Sequence, residues 1–127
     1  TTAKITVDRE RTIDFMGEKA RVYATPMLVR DIEIACRDLF VEHLDAGEDS
    51  VGTRVAIDHI GATLLGMPVT LTVRVASVEG RAVAFEIEGR DSVEPIVRGQ
   101  HARFVVDVAK TAQRLAAKAQ KAQQAGA

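Results

Sequence analysis

The chain has 127 residues, of which 46% are hydrophobic and 28% charged, and its formal net charge is −1. These values indicate one folded domain with its own hydrophobic core. The near-zero charge and the 4% aromatic content argue against nucleic acid as a partner, because nucleic-acid-binding domains carry a basic excess or stacking aromatic residues.

The single cysteine, Cys36, excludes an intrachain disulfide and is typical of a reducing compartment. No apolar run approaches the roughly 20 residues that span a bilayer, and no signal peptide is recognisable. We therefore expect a cytoplasmic protein with no membrane partner. Zinc-ligand spacing, a phosphate loop and a dinucleotide fingerprint are all missing from the sequence, so we expect neither a metal nor a bound cofactor.

The first elements in chain order are a short extended stretch and one long helix. Apolar residues alternate at Ile5 and Val7 and again at Ile13 and Phe15, which predicts extended structure with a break near Arg9. In the segment "ATPMLVRDIEIACRDLFVEHLDAG", Thr followed by Pro is a helix start signal, with the Thr as N-cap. Gly47 is the predicted end of this helix.

The predicted helix has one apolar face. Its members are Leu28, Val29, Ile32, Ala35, Cys36, Leu39 and Phe40. The charged residues, Asp31 among them, fall opposite, and Glu33 falls at the edge of the apolar face. Ile34 and Val41 lie among the polar residues, which suggests that a partner subunit covers that side.

Four extended runs follow, at 52–63, 67–78, 81–90 and 95–108, with a hairpin turn at Glu79-Gly80. Short connections predict antiparallel neighbours. The expected inward residues are Val69, Leu71, Val73 and Val75 in the second run, Val83, Phe85 and Ile87 in the third, and Ile96, Ala102, Phe104, Val106 and Val108 in the fourth. The fold class is therefore α+β, with an antiparallel sheet wrapped around one central helix, in a single domain at 1–108 followed by a solvated helical tail at 109–127.

Three polar residues stand out by placement. His59 ends the row Thr53, Val55, Ile57 on the apolar side of its strand, where it is either a hydrogen-bonded core histidine or a catalytic base. Glu33 is either a carboxylate on a helix flank or a base in a cleft. Thr25 caps a helix, or its hydroxyl lies where an anionic oxygen is stabilised. His101 alternates with apolar residues and is expected to face outward.

The segments "ATPMLVRDIEIAC" and "GTRVAIDHIGAT" resemble the fluoroacetyl-CoA thioesterase family of hotdog-fold acyl-CoA thioesterases. The family pattern has a Thr eight residues before a Glu, then a Gly-Thr pair with a His seven residues after that Gly. Thr25, Glu33, Gly52 and His59 match that spacing. "SVEGR" and "HARFVVDV" are also similar, and the resemblance runs from about Tyr23 to Val108.

This resemblance implies hydrolysis of a short acyl-CoA by a dimer, with coenzyme A entering only as part of the substrate. It implies that Thr25, Glu33 and His59 are catalytic, that the Gly52 backbone lies near the thioester, and that Arg103 matches an arginine of the last strand. The chain departs from the family pattern at Pro26, where the fluoroacetyl-specific enzyme has glycine, and in the "GEKARVY" segment, which lacks the aromatic residues of that enzyme's substrate gate.

Helix geometry constrains this site. Eight helical residues rise about 12 Å, so Thr25 and Glu33 of one chain cannot both touch a small reacting centre unless the helix starts late. A two-fold axis could bring Thr25 of one subunit near Glu33 of the other, which predicts two sites in a homodimer or a dimer of dimers.

Besides a purely structural dimerisation domain, two other functions stay open from the sequence. The first is an acyl-CoA or small-ligand binding module without catalysis. The second is a hydratase acting on an enoyl-CoA, which needs an Asp/His pair, and the adjacent Asp58 and His59 point to opposite faces of a strand.

Overall fold

The computed structural model describes residues 1–126. Two helices lie in this range, α1 (Thr25–Phe40) and α2 (Val108–Gln124). The strands are β1 (Thr2–Thr6), β2 (Thr12–Ile13), β3 (Val22–Tyr23), β4 (Glu48–His59), β5 (Pro68–Glu79), β6 (Ala82–Arg90) and β7 (Pro95–Asp107). Short 3-10 turns occupy Arg9–Arg11, Glu18–Ala20 and Val41–His43.

The strands form one main sheet and one small ribbon. The main sheet is antiparallel, with the order β1-β5-β6-β7-β4, and β2 pairs with β3. Strand β4 therefore lies at a sheet edge. The central helix packs on the sheet against β4, β5 and β7, which confirms the predicted architecture.

The core lies between the predicted apolar faces of helix and sheet. Its fully buried members include Leu28, Ile32 and Cys36 of α1 and Val69, Leu71, Val73, Phe85 and Ile96 of the sheet. Burying aliphatic side chains of this size contributes about 1.5–3 kcal/mol each, and this apolar contact is what fixes the helix on the sheet. Val75 is the exception on β5, because it is exposed.

The start and one face of α1 differ from the prediction. Ala24 is the N-cap and Thr25 is the first helical residue, so the Thr25 hydroxyl makes no capping bond. Asp31, expected on the solvent side, is buried because Arg11 and Tyr23 both hydrogen-bond its carboxylate. Ile34 is exposed as predicted, whereas Val41 is half-buried.

The predicted inward face of β7 is wrong beyond Ile96. Val97, His101, Arg103 and Val105 are the buried residues, and Phe104 is exposed. The apolar residues at even positions suggested the opposite phase. A hydrogen-bonded polar group instead fills the helix-facing side at this end of the sheet, and the prediction that His101 faces outward is therefore also wrong.

A bulge changes the phase of β4. The register with β7 shifts between Gly52 and Arg54, which leaves Thr53 unpaired and exposed. Before the bulge, Ser50 and Gly52 face the helix side, since Ser50 is buried and a Cβ at Gly52 would contact Glu33. After the bulge, the predicted inward row at Val55, Ile57 and His59 is retained.

The C-terminal segment is helical, as predicted. The Asp107 side chain accepts a hydrogen bond from the backbone N–H of Lys110 and caps α2, whose residues are almost all exposed. Ala127, the last residue of the predicted tail, lies outside the described residues, and the division of the chain near residue 108 stays a prediction. None of the helices described within residues 1–126 is long and apolar enough to cross a membrane.

Candidate active site

The hydroxyl of Thr25 and the imidazole of His59 contact each other directly. Thr25 Oγ1 lies 2.8 Å from His59 Nδ1, across 34 residues of sequence. Helix α1 begins at Thr25 and β4 ends at His59, so both side chains are held at the ends of regular elements. Because the hydroxyl is not used for capping, it is available to the imidazole.

Only one of the two ring nitrogens of His59 has a hydrogen-bond partner among the described residues. Its Nε2 atom is buried and has no hydrogen-bond partner among residues 1–126. Burial lowers the pKa of His59, and the backbone of Gly61 partly opposes that shift. A lowered pKa keeps the ring neutral near pH 7, which is the form that a general base requires.

A buried ion pair fixes the residues beside this ring. The Tyr23 ring stands edge-on to His59, with the ring centres 6.4 Å apart. Its hydroxyl donates to Asp31, and Arg11 Nε donates to the same carboxylate at 2.8 Å. Burial and the Asp31 carboxylate raise the pKa of Tyr23, so the phenol stays protonated and acts as a donor.

The carboxylate of Glu33 lies at a second position, apart from the His59 ring. A Cβ built on Gly52 would be 3.4 Å from the Glu33 carboxylate, so the Gly52 backbone passes close to it. The Glu33 side chain is 43% exposed and faces the buried guanidinium of Arg103, with 3.9 Å between Oε2 and Nη1. Glycine at position 52 therefore permits the approach of strand and carboxylate.

Arg103 is held from several sides by protein atoms. Its Nε donates to Ser50 Oγ at 2.7 Å, and its Nη2 donates to the Ser50 carbonyl at 2.9 Å. Its Nη1 lies 3.2 Å from His101 Nε2. Sequence reasoning missed His101 and Ser50, and the signal that could have found them is the polar pair His101/Arg103 at alternate positions of one strand.

The predicted site residues thus form two groups in one chain. Thr25 and His59 make one group, while Glu33, Gly52 and Arg103 make the other. His59 is seven positions after Gly52 along β4, which corresponds to roughly 20 Å of strand. The structure does not bring the two groups together within a single chain.

A shallow cleft opens beside the Thr25 group. Its volume is about 270 Å³, and its walls include Ile13, Val22, Tyr23, Ile60 and Ala62. Aliphatic and small side chains therefore surround the hydroxyl and the imidazole. Within residues 1–126, no three His, Cys, Asp or Glu side chains are arranged to hold a metal ion.

Known proteins are similar to this chain in sequence and in architecture. Residues 7–109 match the family described as FlK, fluoroacetyl-CoA-specific thioesterase. The fluoroacetyl-CoA thioesterase of Streptantibioticus cattleyicolor is 36% identical over 94 residues, which are 74% of this chain and 68% of that protein.

Two solved structures are similar over nearly the whole chain. A variant of the fluoroacetyl-CoA-specific thioesterase FlK, in complex with fluoroacetate and CoA, superposes with a TM-score of 0.86 at 30% identity, covering 93% of this chain and 98% of that one. A hypothetical Thermus thermophilus protein of the thioesterase superfamily gives a TM-score of 0.85 at 27% identity, covering 98% and 92%.

The sheet curved around one helix is therefore the hotdog fold. The match covers most of the chain and includes both groups of polar residues described above. The chain is a thioester hydrolase and belongs to the fluoroacetyl-CoA-specific thioesterase family.

Proposed function

We propose that the protein hydrolyses short acyl-CoA thioesters at two sites of a homodimer, each built from both subunits. The observation that carries this proposal is the 2.8 Å contact between the Thr25 hydroxyl and the half-buried imidazole of His59, whose pKa is lowered by burial. A hydroxyl paired with a base is an arrangement that activates the oxygen nucleophile for acyl transfer.

His59 acts as the general base in this proposal. With Nδ1 unprotonated, the ring takes the proton of the Thr25 hydroxyl, or of a water bound to it, as the oxygen attacks the thioester carbonyl carbon. The C–S bond then breaks, and the imidazolium returns the proton to the leaving sulfur, which departs as the CoA thiol. If Thr25 is the nucleophile, water hydrolyses the resulting acyl ester through the same base.

The backbone at Gly52 is the better candidate for holding the oxyanion. The helix start offers few donors, because Pro26 has no N–H and the N–H groups of Met27 and Leu28 both donate to the Ala24 carbonyl. Glu33, close to Gly52, either orients the catalytic imidazole or polarises the attacking water.

Pairing of two β4 strands brings the groups together. Strand β4 is at the sheet edge, and its residues from Val51 to Arg54 are exposed, so its free backbone groups can pair with a second copy. An antiparallel pair centred between Val55 and Ala56 sets Gly52 opposite the partner subunit's His59. The apolar side chain of Ile34, next to Glu33, is exposed in the single chain, which supports coverage of this region by the second subunit.

The size and lining of the cleft beside Thr25 favour a substrate with a small acyl group. Its volume of about 270 Å³ is bordered by Ile13, Val22 and Ala62, which favour a few apolar carbons over a polar or long acyl chain. Coenzyme A enters as part of the substrate. A cytoplasmic location is consistent with Cys36, which is buried and a free thiol.

Thioester hydrolysis is tested by incubating the protein with a series of acyl-CoAs and following thiol release with a disulfide dye. We expect turnover that is fastest for acyl groups of few carbons. If acyl-CoAs bind without thiol release, the alternative of a non-catalytic binding module is correct. The hydratase alternative is disfavoured because Asp58 is exposed, 4.0 Å from Arg98, while His59 is inward.

Mixed dimers test the shared site. H59A and E33Q homodimers are each expected to be inactive, and a refolded mixture is expected to regain about a quarter of wild-type activity, because each heterodimer has one site with both residues intact. If each site lies within one chain, every site in the mixture lacks one of the two residues and the mixture stays inactive.

A further inference from the structure

We infer that His101 is a positioning residue, which holds the Arg103 guanidinium against Glu33 and the Gly52 backbone in the geometry that hydrolysis needs. This inference rests on the proposed function, since it assumes that Glu33 and Gly52 take part in the reaction. The contacts of His101 themselves do not depend on that assumption.

The hydrogen bonds of His101 fix its tautomer. The ring is 1% exposed, with Nδ1 2.8 Å from the Arg54 carbonyl and Nε2 3.2 Å from Arg103 Nη1. A carbonyl only accepts and a guanidinium only donates. The ring must therefore carry its proton on Nδ1, donate it to Arg54, and accept from Arg103 at Nε2.

The acceptor at Nε2 completes the environment of Arg103. Two of the guanidinium nitrogens donate to Ser50, one to its hydroxyl and one to its carbonyl. The third nitrogen, Nη1, lies between His101 Nε2 at 3.2 Å and Glu33 Oε2 at 3.9 Å. Removal of the His101 acceptor takes away one of the three hydrogen bonds that fix the planar guanidinium, so its position against the Glu33 carboxylate is less well defined.

The same ring also supports the strand beside the carboxylate. The Arg54 carbonyl that His101 binds lies at the β4 bulge, directly after the unpaired Thr53. A Cβ at Gly52 would be 3.2 Å from His101 Cε1, so the ring packs under the Gly52 backbone. Phe85 stacks on the other side of the ring, with centres 6.2 Å apart at 24°. One side chain thus fixes the bulge, Gly52 and Arg103 together.

This role requires a neutral imidazole. A proton on Nε2 would point at the guanidinium and abolish the acceptor. Burial lowers the pKa of His101, which agrees with the neutral form. Among the described residues that face the ring, the charged groups are Arg103 and Glu33, and they act on it in opposite directions.

The tautomer is tested directly on the wild-type protein. Nitrogen-15 NMR of the histidine rings at neutral pH is expected to show His101 protonated on Nδ1 and unprotonated on Nε2, with H101Q used to assign its signals. The Nε2-protonated tautomer or an imidazolium at neutral pH overturns the inference. The measurement needs no activity, so it stands apart from the proposed thioesterase reaction.

The positioning role is tested by kinetics. H101F keeps the ring shape but removes both polar contacts, and we expect kcat to fall about 10- to 100-fold with little change in KM. H101Q, which can still accept from Arg103, is expected to recover most of the loss. In an R103M background, H101F is expected to cost less than about 3-fold, because the two residues act through one contact.

If the kcat losses of H101F and R103M multiply in the H101F/R103M double variant, or if H101F has a normal kcat, His101 does not act through Arg103. The activity of E33Q separates the two failures. A fully active E33Q contradicts the proposed function. An inactive E33Q combined with a fully active H101F contradicts this inference alone.

Discussion

The two ends of the inward row of β4 are built in opposite ways. At the His59 end, one hydrogen bond to Thr25 holds the imidazole, and its other nitrogen has no partner within residues 1–126. At the Gly52 end, a buried guanidinium is fixed by Ser50 and His101 and faces Glu33. The His59 imidazole can therefore exchange a proton and change its hydrogen-bond partner during a reaction. Ser50, His101 and Arg103 at the other end form a rigid frame, because they are fixed by hydrogen bonds to one another.

The difference indicates how catalysis is divided along the strand. A base must exchange protons, and a single adaptable hydrogen bond permits this. Groups that stabilise charge act best when they are already oriented, because no energy is then spent on orienting them in the transition state. Variants at the His59 end should therefore change the rate more than the stability, and variants at the Arg103 end should change both.

The largest expected effect is that of H59A on turnover. Loss of the base is expected to lower kcat/KM about 100-fold or more with acyl-CoA substrates. Thermal unfolding should change little, because H59A removes the single hydrogen bond to Thr25, while the Nε2 atom has no partner among the described residues. The matched control is D58N, whose side chain is exposed on the other face of β4 and whose activity should stay normal. Wild-type turnover in H59A would remove His59 from the mechanism.

The second effect is the stability loss in R103M. The guanidinium is 5% exposed, and its removal leaves the Ser50 hydroxyl and the His101 nitrogen without their donor. We expect the free energy of unfolding in urea to fall by about 2 kcal/mol, together with a loss of activity. T25V, at the other end, should stay within about 0.5 kcal/mol of wild type. Equal stability losses in the two variants would contradict the contrast between the ends.

The same contrast separates what the sequence could predict from what it could not. His59 was identifiable because a lone imidazole interrupts an apolar row, and Thr25 because its Thr-Pro pair marks a helix start. Both signals are local. The antiparallel sheet around one helix was also predictable, since apolar periodicity and short connections dictate it.

The frame at the Gly52 end could not be read from local patterns. Its donors and acceptors come from Ser50, His101 and Arg103, which meet only through the pairing of β4 with β7. The apolar residues on the outer face of β7, Phe104 above all, suggested the wrong inward face. Strand alternation gives two phases, and hydrophobicity selects the wrong one where the buried side is polar.

The pH dependence of stability is a smaller effect that involves both ends. Burial lowers the pKa of His59 and of His101, so the folded protein binds fewer protons than the unfolded chain below the ordinary histidine pKa of about 6.5. Stability is therefore expected to fall as pH decreases through about 6.5 towards 5. Urea unfolding at several pH values measures the slope, and H59Q removes the contribution of the His59 end. A flat profile over this range would contradict neutral buried rings.

The smallest expected signal is the labelling of Cys36, which reports on the Arg103 end alone. The thiol is fully buried, and burial raises its pKa to about 12, so a disulfide dye should not react with the native protein at pH 8. This protection also keeps the thiol-release assay free of background. Arg103 and Glu33 both act on the Cys36 thiol electrostatically, so the thiol lies near these two charged groups. R103M should therefore label faster than H59A under native conditions, because only R103M removes the hydrogen bonds of the rigid end nearest to the thiol. Identical labelling rates in the two variants would mean that the Arg103 contacts do not govern local opening there, and that the rigidity of this end comes from the apolar core instead.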